Sequence, residues 1–104
     1  MLLGKLVKQP IERQNYFVKY GEYLQEGELL VSVVGTFTLE GELPNPLMVD
    51  DFTLIGPVIM TGSADVEFWL EGGLDGMVYK LEFTATTNFG NVKQDEFKVK
   101  IKEI

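Results

Sequence analysis

The sequence has 104 residues, contains no cysteine or histidine and carries a formal net charge of −7. A chain of this length forms one domain that buries about two-thirds of the surface exposed in its unfolded state. The missing imidazole and thiol groups exclude the commonest general base, thiolate nucleophiles and soft metal sites. No apolar run approaches the ~20 residues of a membrane span, and the charged start is unlike a signal peptide, so we expect folding in the cytoplasm.

The charges are distributed unevenly along the chain. Residues 1–19 carry four basic and one acidic side chain, residues 20–79 carry eleven acidic ones and no lysine or arginine, and residues 80–104 carry five lysines and four acids. An acidic body repels phosphate backbones, so we expect no nucleic-acid partner. The acids either form solvated edges and loops, or they meet complementary subunits of an assembly.

Residues 1–14 are predicted to form an extended N-terminal arm ahead of one sandwich domain over residues 15–104. Gly4 and Pro10 interrupt any helical period, and the residue before Pro10 is pushed toward an extended backbone. The apolar side chains of the arm that we expect to contact protein are Leu2, Leu3 and Leu6. Two arrangements are open: the arm docks along its own domain as a first strand, or it is added as a strand to a neighbouring subunit.

The first half of the domain reads as short strands separated by turns. An aromatic strand is predicted over Tyr16–Tyr20, followed by a turn or a single helical turn over Gly21–Glu26. The next strand, Glu28–Thr38, is apolar on both faces near its start, which is typical of a central strand. A further strand is predicted over Leu47–Leu54, and Gly56-Pro57 then interrupts the pattern.

The strongest pattern lies in Ala64–Ala85, which contains two alternating runs around a glycine-rich turn. Period-two alternation predicts half-buried strands. The side chains on the buried face are Ala64, Val66, Phe68 and Leu70 before the turn and Tyr79, Leu81, Phe83 and Ala85 after it. The spacing from Gly76 to Tyr79 matches the tyrosine corner of immunoglobulin-like (Ig-like) sandwiches, in which the hydroxyl bonds to upstream backbone. The alternative is that Tyr79 is an ordinary core aromatic.

The last strand is predicted over Val92–Ile104, where apolar side chains alternate with lysines. Pairing Phe83 with Phe97 would place Glu82 opposite Lys98, a favourable cross-strand pair worth up to about 1 kcal/mol. The lysines could equally protect an exposed edge from aggregation.

About seven short strands at near-regular spacing, with no convincing helix, predict an all-β fold. The architecture we expect is an Ig-like antiparallel β-sandwich with an extended N-terminal arm. A small jelly roll or a partly open barrel is the alternative, because sequence determines strand number better than strand order.

The remaining reactive side chains do not form a recognisable catalytic or metal-binding pattern. Paired carboxylates need a cleft that a small sandwich hardly offers, and the spaced ligands of an EF-hand loop are missing. The glycine-rich turn over residues 72–76 lacks the lysine and the helix of a phosphate-binding loop. We therefore expect no enzyme, no metal and no cofactor.

Trp69 is the one residue outside the arm that we expect to contact another protein. If Phe68 and Leu70 face inward, Trp69 faces outward beside Glu67 and Glu71. An exposed tryptophan is a common interface anchor. It could equally be covered by the arm of its own chain.

Several turn and strand motifs together resemble a known family. They are the aromatic stretch from Tyr16 to Leu30 with Tyr23-Leu24 and Gly27-Glu28, the run from Val66 to Gly73, the Gly76-x-x-Tyr79 strand to Thr87, and the Gly90 turn. The combination is similar to small Ig-like proteins encoded among the tail and fibre genes of tailed bacteriophages. The resemblance implies a non-catalytic fibre-to-tail adaptor or small virion component, present in many copies and bound to other virion proteins.

The function predicted from these observations is that of a structural virion protein of a tailed phage, folded in the host cytoplasm. Its expected position is between tail and fibre, where it would bridge neighbouring tail, connector or fibre subunits. A capsid decoration protein is an alternative of the same class. A secreted Ig-like adhesion or carbohydrate-binding module, with Trp69 stacked on a sugar, is an alternative of another class. No membrane partner is expected.

Overall fold

The computed structural model describes residues 2–43, 45, 47, 49–60 and 64–103. These residues form seven strands and one short 3-10 helix. The elements are β1 (Leu2–Lys8), β2 (Gln14–Lys19), the 3-10 helix (Tyr20–Tyr23), β3 (Leu30–Glu40), β4 (Thr53–Ile59), β5 (Asp65–Glu71), β6 (Val78–Thr87) and β7 (Val92–Ile101). No helix in this part of the chain is long and apolar enough to cross a membrane.

The strands form two sheets that pack as a sandwich. One sheet has four strands in the order β1-β7-β6-β3, and the other has three in the order β2-β5-β4. All pairs are antiparallel except β1 with β7, which is parallel. The prediction of an all-β, Ig-like sandwich is confirmed, and two separate sheets disfavour the partly open barrel.

Aromatic rings fill the space between the two sheets. Phe68 of β5 lies edge-to-face against Phe83 of β6 at a centroid distance of 4.9 Å, and 5.9 Å from the ring of Phe97 of β7. Burying each such side chain stabilises the fold by roughly 1.5–3 kcal/mol. The alternation predicted over Ala64–Ala85 is confirmed, because β5 and β6 bury every second residue.

Tyr79 is a core aromatic, and a tyrosine corner at this position stays a prediction. Its ring is buried and stacks on Phe52 at 3.9 Å, as a core aromatic does. Its hydroxyl donates a hydrogen bond to Asp50 Oδ1 at 2.8 Å. Burial, together with the Asp50 bond, raises the pKa of Tyr79 to about 12.

The arm docks on its own sandwich over residues 2–8. β1 pairs with β7, with Leu6 opposite Val99 and Lys8 opposite Ile101. The Lys8 side chain is buried, and its ammonium group donates to the carbonyl oxygens of Gln9 at 2.7 Å and Gly72 at 2.6 Å. Burial lowers the pKa of Lys8 despite nearby carboxylates. The division of the chain into an arm and a domain at residue 14 stays a prediction.

Two strand predictions in the first half of the chain are wrong. The strand predicted as central, β3, lies at the edge of its sheet, and Val31 and Val34 are exposed on it. The strand predicted over Leu47–Leu54 begins only at Thr53, and it continues through Gly56-Pro57. A register shift between Ile55 and Val58 accommodates the proline, which an edge strand tolerates because its outer side needs no ladder hydrogen bonds.

The predicted register of β6 and β7 is wrong by two residues. Leu81 lies opposite Phe97, so that Glu82 lies opposite Glu96 and not opposite Lys98. The cause is a short hairpin turn, closed by a hydrogen bond of 2.9 Å from the Thr87 amide to the Asn91 carbonyl. The edge-protection interpretation is also wrong for β7, because β1 and β6 flank it on both sides.

Candidate protein-binding surface

Trp69 lies at the centre of the three-stranded sheet, on its outer side. Its neighbours Phe68 and Leu70 are buried in the core, which turns Trp69 outward as predicted. In the ladder it stands between Asn15 of β2 and Ile55 of β4. The ring is half-buried, so it is held in place by its neighbours and keeps an accessible surface.

The side chain of Arg13, in the N-terminal segment, lies over the Trp69 ring. The Arg13 guanidinium carbon is 4.5 Å from the ring centroid, and the Arg13 Nε forms an ion pair with Glu71. A cation over an aromatic face contributes roughly 0.5–1 kcal/mol at an exposed site. Trp69 was considered either as an interface anchor or as a residue covered by the arm of its own chain. Within the arm predicted over residues 1–14, β1 lies in the other sheet and does not cover the ring, whereas Arg13 covers part of it.

Exposed apolar side chains surround Trp69 on the same side of the sheet. Ile55 flanks it with 39% exposure, and the next row of the ladder contains Phe17 at 51% and Val58 at 61%. We call Phe17, Ile55, Val58 and Trp69 the Trp69 face. Scattered apolar residues are common on surfaces, but a contiguous set marks an interaction site.

A polar residue with a hydrogen-bond partner lies within the apolar set. Glu67 lies between Phe17 and Val58 in the ladder, and it accepts a hydrogen bond of 3.3 Å from the Asn15 side chain. A centre of aromatic and aliphatic side chains with arginine nearby is the composition of a protein interface, in which a few such anchors carry most of the binding energy.

The family of the chain is shown by a comparison with models of known families. The model of the podophage GP4 fiber-tail adaptor protein gp77 matches residues 8–100. The chain belongs to this phage fibre-to-tail adaptor family. A search of curated proteins found no match. The family expected from the turn and strand motifs is thereby confirmed.

The residues predicted to contact protein do not form one site in the adaptor. Leu6 is partly buried and packs against the core from the four-stranded sheet, whereas Trp69 faces outward from the three-stranded sheet. Leu2 and Leu3 are the first two residues of β1, and the structure describes their backbone but not their side chains. These three leucines also precede the matched residues 8–100.

Phe17, Ile55 and Val58 were not predicted as parts of the adaptor's binding surface. Alternation alone could have indicated Phe17, since Tyr16 and Val18 on either side of it face the core. Ile55 and Val58 could not be found in this way, because the register shift at Gly56-Pro57 breaks the alternation of β4.

Proposed function

We propose that this adaptor is a non-enzymatic structural protein of the virion that bridges neighbouring tail or fibre subunits through the Trp69 face. The observation that carries the proposal is the contiguous aromatic and aliphatic surface on β2, β4 and β5. The adaptor family supports binding to other virion proteins. The absence of histidine and cysteine from the sequence supports a role without catalysis. The proposal includes many copies of the adaptor in each particle. It includes no nucleic-acid partner and no membrane partner.

The β-sandwich holds the Trp69 face rigidly. β5 is hydrogen-bonded on both sides, and its inward side chains Val66, Phe68 and Leu70 are fully buried or nearly so. A surface fixed before binding loses little conformational entropy when a partner docks. The proposal therefore places the recognition residues on strands and does not require a loop to become ordered.

Replacing Trp69 by alanine tests the proposal. The Trp69→Ala variant should remain folded, because the ring is only half-buried, but it should be absent from particles or reduced at least tenfold, as expected for an interface anchor. The measurement is the amount of adaptor in purified particles, with a thermal melt of each variant. Phe89→Ala is the matched control, since Phe89 is an aromatic with 50% exposure in the β6–β7 turn. Normal incorporation of folded Trp69→Ala would refute the role of the Trp69 face.

The start of the arm is proposed as a second contact, with Leu2 and Leu3 reaching a neighbouring subunit, whereas Leu6, also predicted for this contact, packs against the core of its own chain. Deleting the whole arm would also remove the buried Lys8, so a milder variant is needed. Leu2→Ser with Leu3→Ser keeps Lys8 and the rest of β1, and it should lower incorporation without unfolding the protein. Ile11→Ser, at a residue with 91% exposure in the same N-terminal segment, is the control. Unchanged incorporation of the leucine variant would remove the arm from the proposal.

The carbohydrate-binding alternative has less support. Stacking on a sugar needs an open aromatic face, but the Arg13 guanidinium lies 4.5 Å above the Trp69 ring. The adaptor family likewise favours a position at the tail over one on the capsid.

A further inference from the structure

Three lysines stand side by side on the outer side of the four-stranded sheet. Lys5 of β1 lies opposite Lys98 of β7, and Lys98 lies opposite Lys80 of β6. In the next row Lys100 lies between Val7 and Val78. We call Lys5, Lys80, Lys98 and Lys100 the lysine face.

The fold does not account for this row of like charges. Like charges directly opposite one another on neighbouring strands destabilise a sheet. Lysines protect exposed edges such as β1, which carries Lys5, but Lys80, Lys98 and Lys100 lie on β6 and β7, the inner strands of the sheet. A chain with a net charge of −7 also has no shortage of charge for solubility. The row therefore lowers the stability of the sheet, and a binding role would explain its presence.

The acids of the same sheet neutralise the lysine face only in part. Lys98 forms an ion pair with Glu40 at 3.0 Å, and Lys80 forms one with Glu82 at 2.9 Å. Within the described residues, no ion pair involves Lys5 or Lys100. Both of these side chains are exposed, so their charges are available to a partner.

The surface beside these lysines is concave and has apolar walls. A shallow depression of about 310 Å³ is lined by Lys5, Lys98 and Lys100 together with Val7, Val78 and Glu40. Val7 is 61% exposed. The combination of free ammonium groups and exposed aliphatic carbon suits a ligand that offers carboxylates beside apolar groups.

We infer that the lysine face docks a carboxylate-rich segment of a partner protein, on the side of the sandwich opposite the Trp69 face. The inference deepens the proposed adaptor function and rests on it for the class of partner. A short acidic segment can contact the lysines locally, since charges beyond about 8 Å are largely screened at physiological salt. A long polyanion such as DNA, or a second copy with the same charge of −7, would meet repulsion from the acidic loops.

A short polyglutamate peptide is a suitable probe, followed by backbone amide chemical shifts of the full chain. Shifts are expected in β1, β6 and β7 near the lysine face. Lys5→Gln with Lys100→Gln should weaken binding about five- to tenfold, because each exposed ion pair contributes at most about 1 kcal/mol. Lys19→Gln with Lys93→Gln changes the net charge equally, at a strand of the other sheet and at the far end of β7, and it should leave the affinity near that of the wild type.

Several outcomes would overturn the inference. They are shifts located elsewhere, equal weakening by both double variants, tighter binding of a short DNA duplex than of polyglutamate, or self-association through the lysine face in sedimentation. Particle incorporation separates this inference from the proposed function. If Lys5→Gln with Lys100→Gln incorporates normally while Trp69→Ala does not, the lysine face is refuted and the adaptor function stands. If Trp69→Ala also incorporates normally, the proposed function of the Trp69 face fails as well.

Discussion

At the scale of single residues, Glu28 shows how one buried carboxylate joins two loops. One oxygen accepts a hydrogen bond from the Gln25 amide at 3.0 Å, and the other accepts bonds from the side chains of Thr87 and Asn91, both at 2.7 Å. These bonds connect the segment before β3 with the β6–β7 turn, although the two are distant in the sequence. These hydrogen bonds lower the pKa of Glu28 below its usual 4.5, and the bond from the Gln25 amide has the largest effect.

The lowered pKa predicts how Glu28 contributes to the pH dependence of stability. A carboxyl group with a lower pKa in the folded state stabilises the fold above its ordinary pKa, and this stabilisation is lost as the pH falls through the folded value. Glu28→Gln should therefore lower the melting temperature at neutral pH and reduce its decline below about pH 4.5. Melting curves across this range test the expectation. Glu26→Gln, at an exposed neighbour, should follow the wild type, and identical profiles for both variants would contradict the role of Glu28.

At the scale of elements, alternation in the sequence was a sound guide to strands but not to their pairing. β5 and β6 were predicted correctly because one side of each strand is fully buried, which leaves a clear period of two. The register of β6 and β7 depends on the length of the turn at Thr87–Asn91, which the pattern does not contain. The predicted bounds of β4 were wrong because Gly56-Pro57 resembles the end of a strand, whereas these two residues lie within an edge strand.

The same limits explain which parts of the candidate sites were found. Trp69 could be predicted from its own strand alone. Its neighbours on the Trp69 face belong to two other strands, so they required the order β2-β5-β4. The lysine face required the parallel pairing of β1 with β7 and the correct register of β6 with β7. The pairing and the register could not be predicted from the sequence, since neither local propensity nor alternation determines them.

The lysine row makes a prediction about stability at this scale. Lys5→Glu places a carboxylate opposite Lys98, replacing a repulsive cross-strand pair by an attractive one. The free energy of unfolding should rise by roughly 0.2–1 kcal/mol, and Lys5→Gln, which only removes the charge, should give a smaller gain. Urea unfolding of the two variants and the wild type measures the difference. A gain from Lys5→Glu that disappears in high salt would support the electrostatic origin, whereas a loss of stability from both variants would contradict the cost assigned to the row.

At the scale of the whole molecule, the two sheets give the adaptor two chemically different sides. The outer side of the three-stranded sheet carries the Trp69 face, with aromatic and aliphatic side chains. The outer side of the four-stranded sheet carries the lysine face. The molecule extends 49 × 21 × 18 Å, so its two sides are close to each other but separated by a packed core. The two proposals together predict that the adaptor holds two different partners at once.

The last prediction follows from this separation. Substitutions that share no contacts and lie on opposite sides of a packed core should act independently. Trp69→Ala should therefore leave the affinity for polyglutamate unchanged within about twofold, since additivity holds to about 0.5 kcal/mol. In turn, Lys5→Gln with Lys100→Gln should still bind the virion protein that wild-type adaptor binds through the Trp69 face. Titration of Trp69→Ala with the peptide, and co-purification of the lysine variant with that protein, make the comparison. If each variant impairs binding at both sides, the two faces form one site, and the bridging role must be replaced by attachment to a single partner.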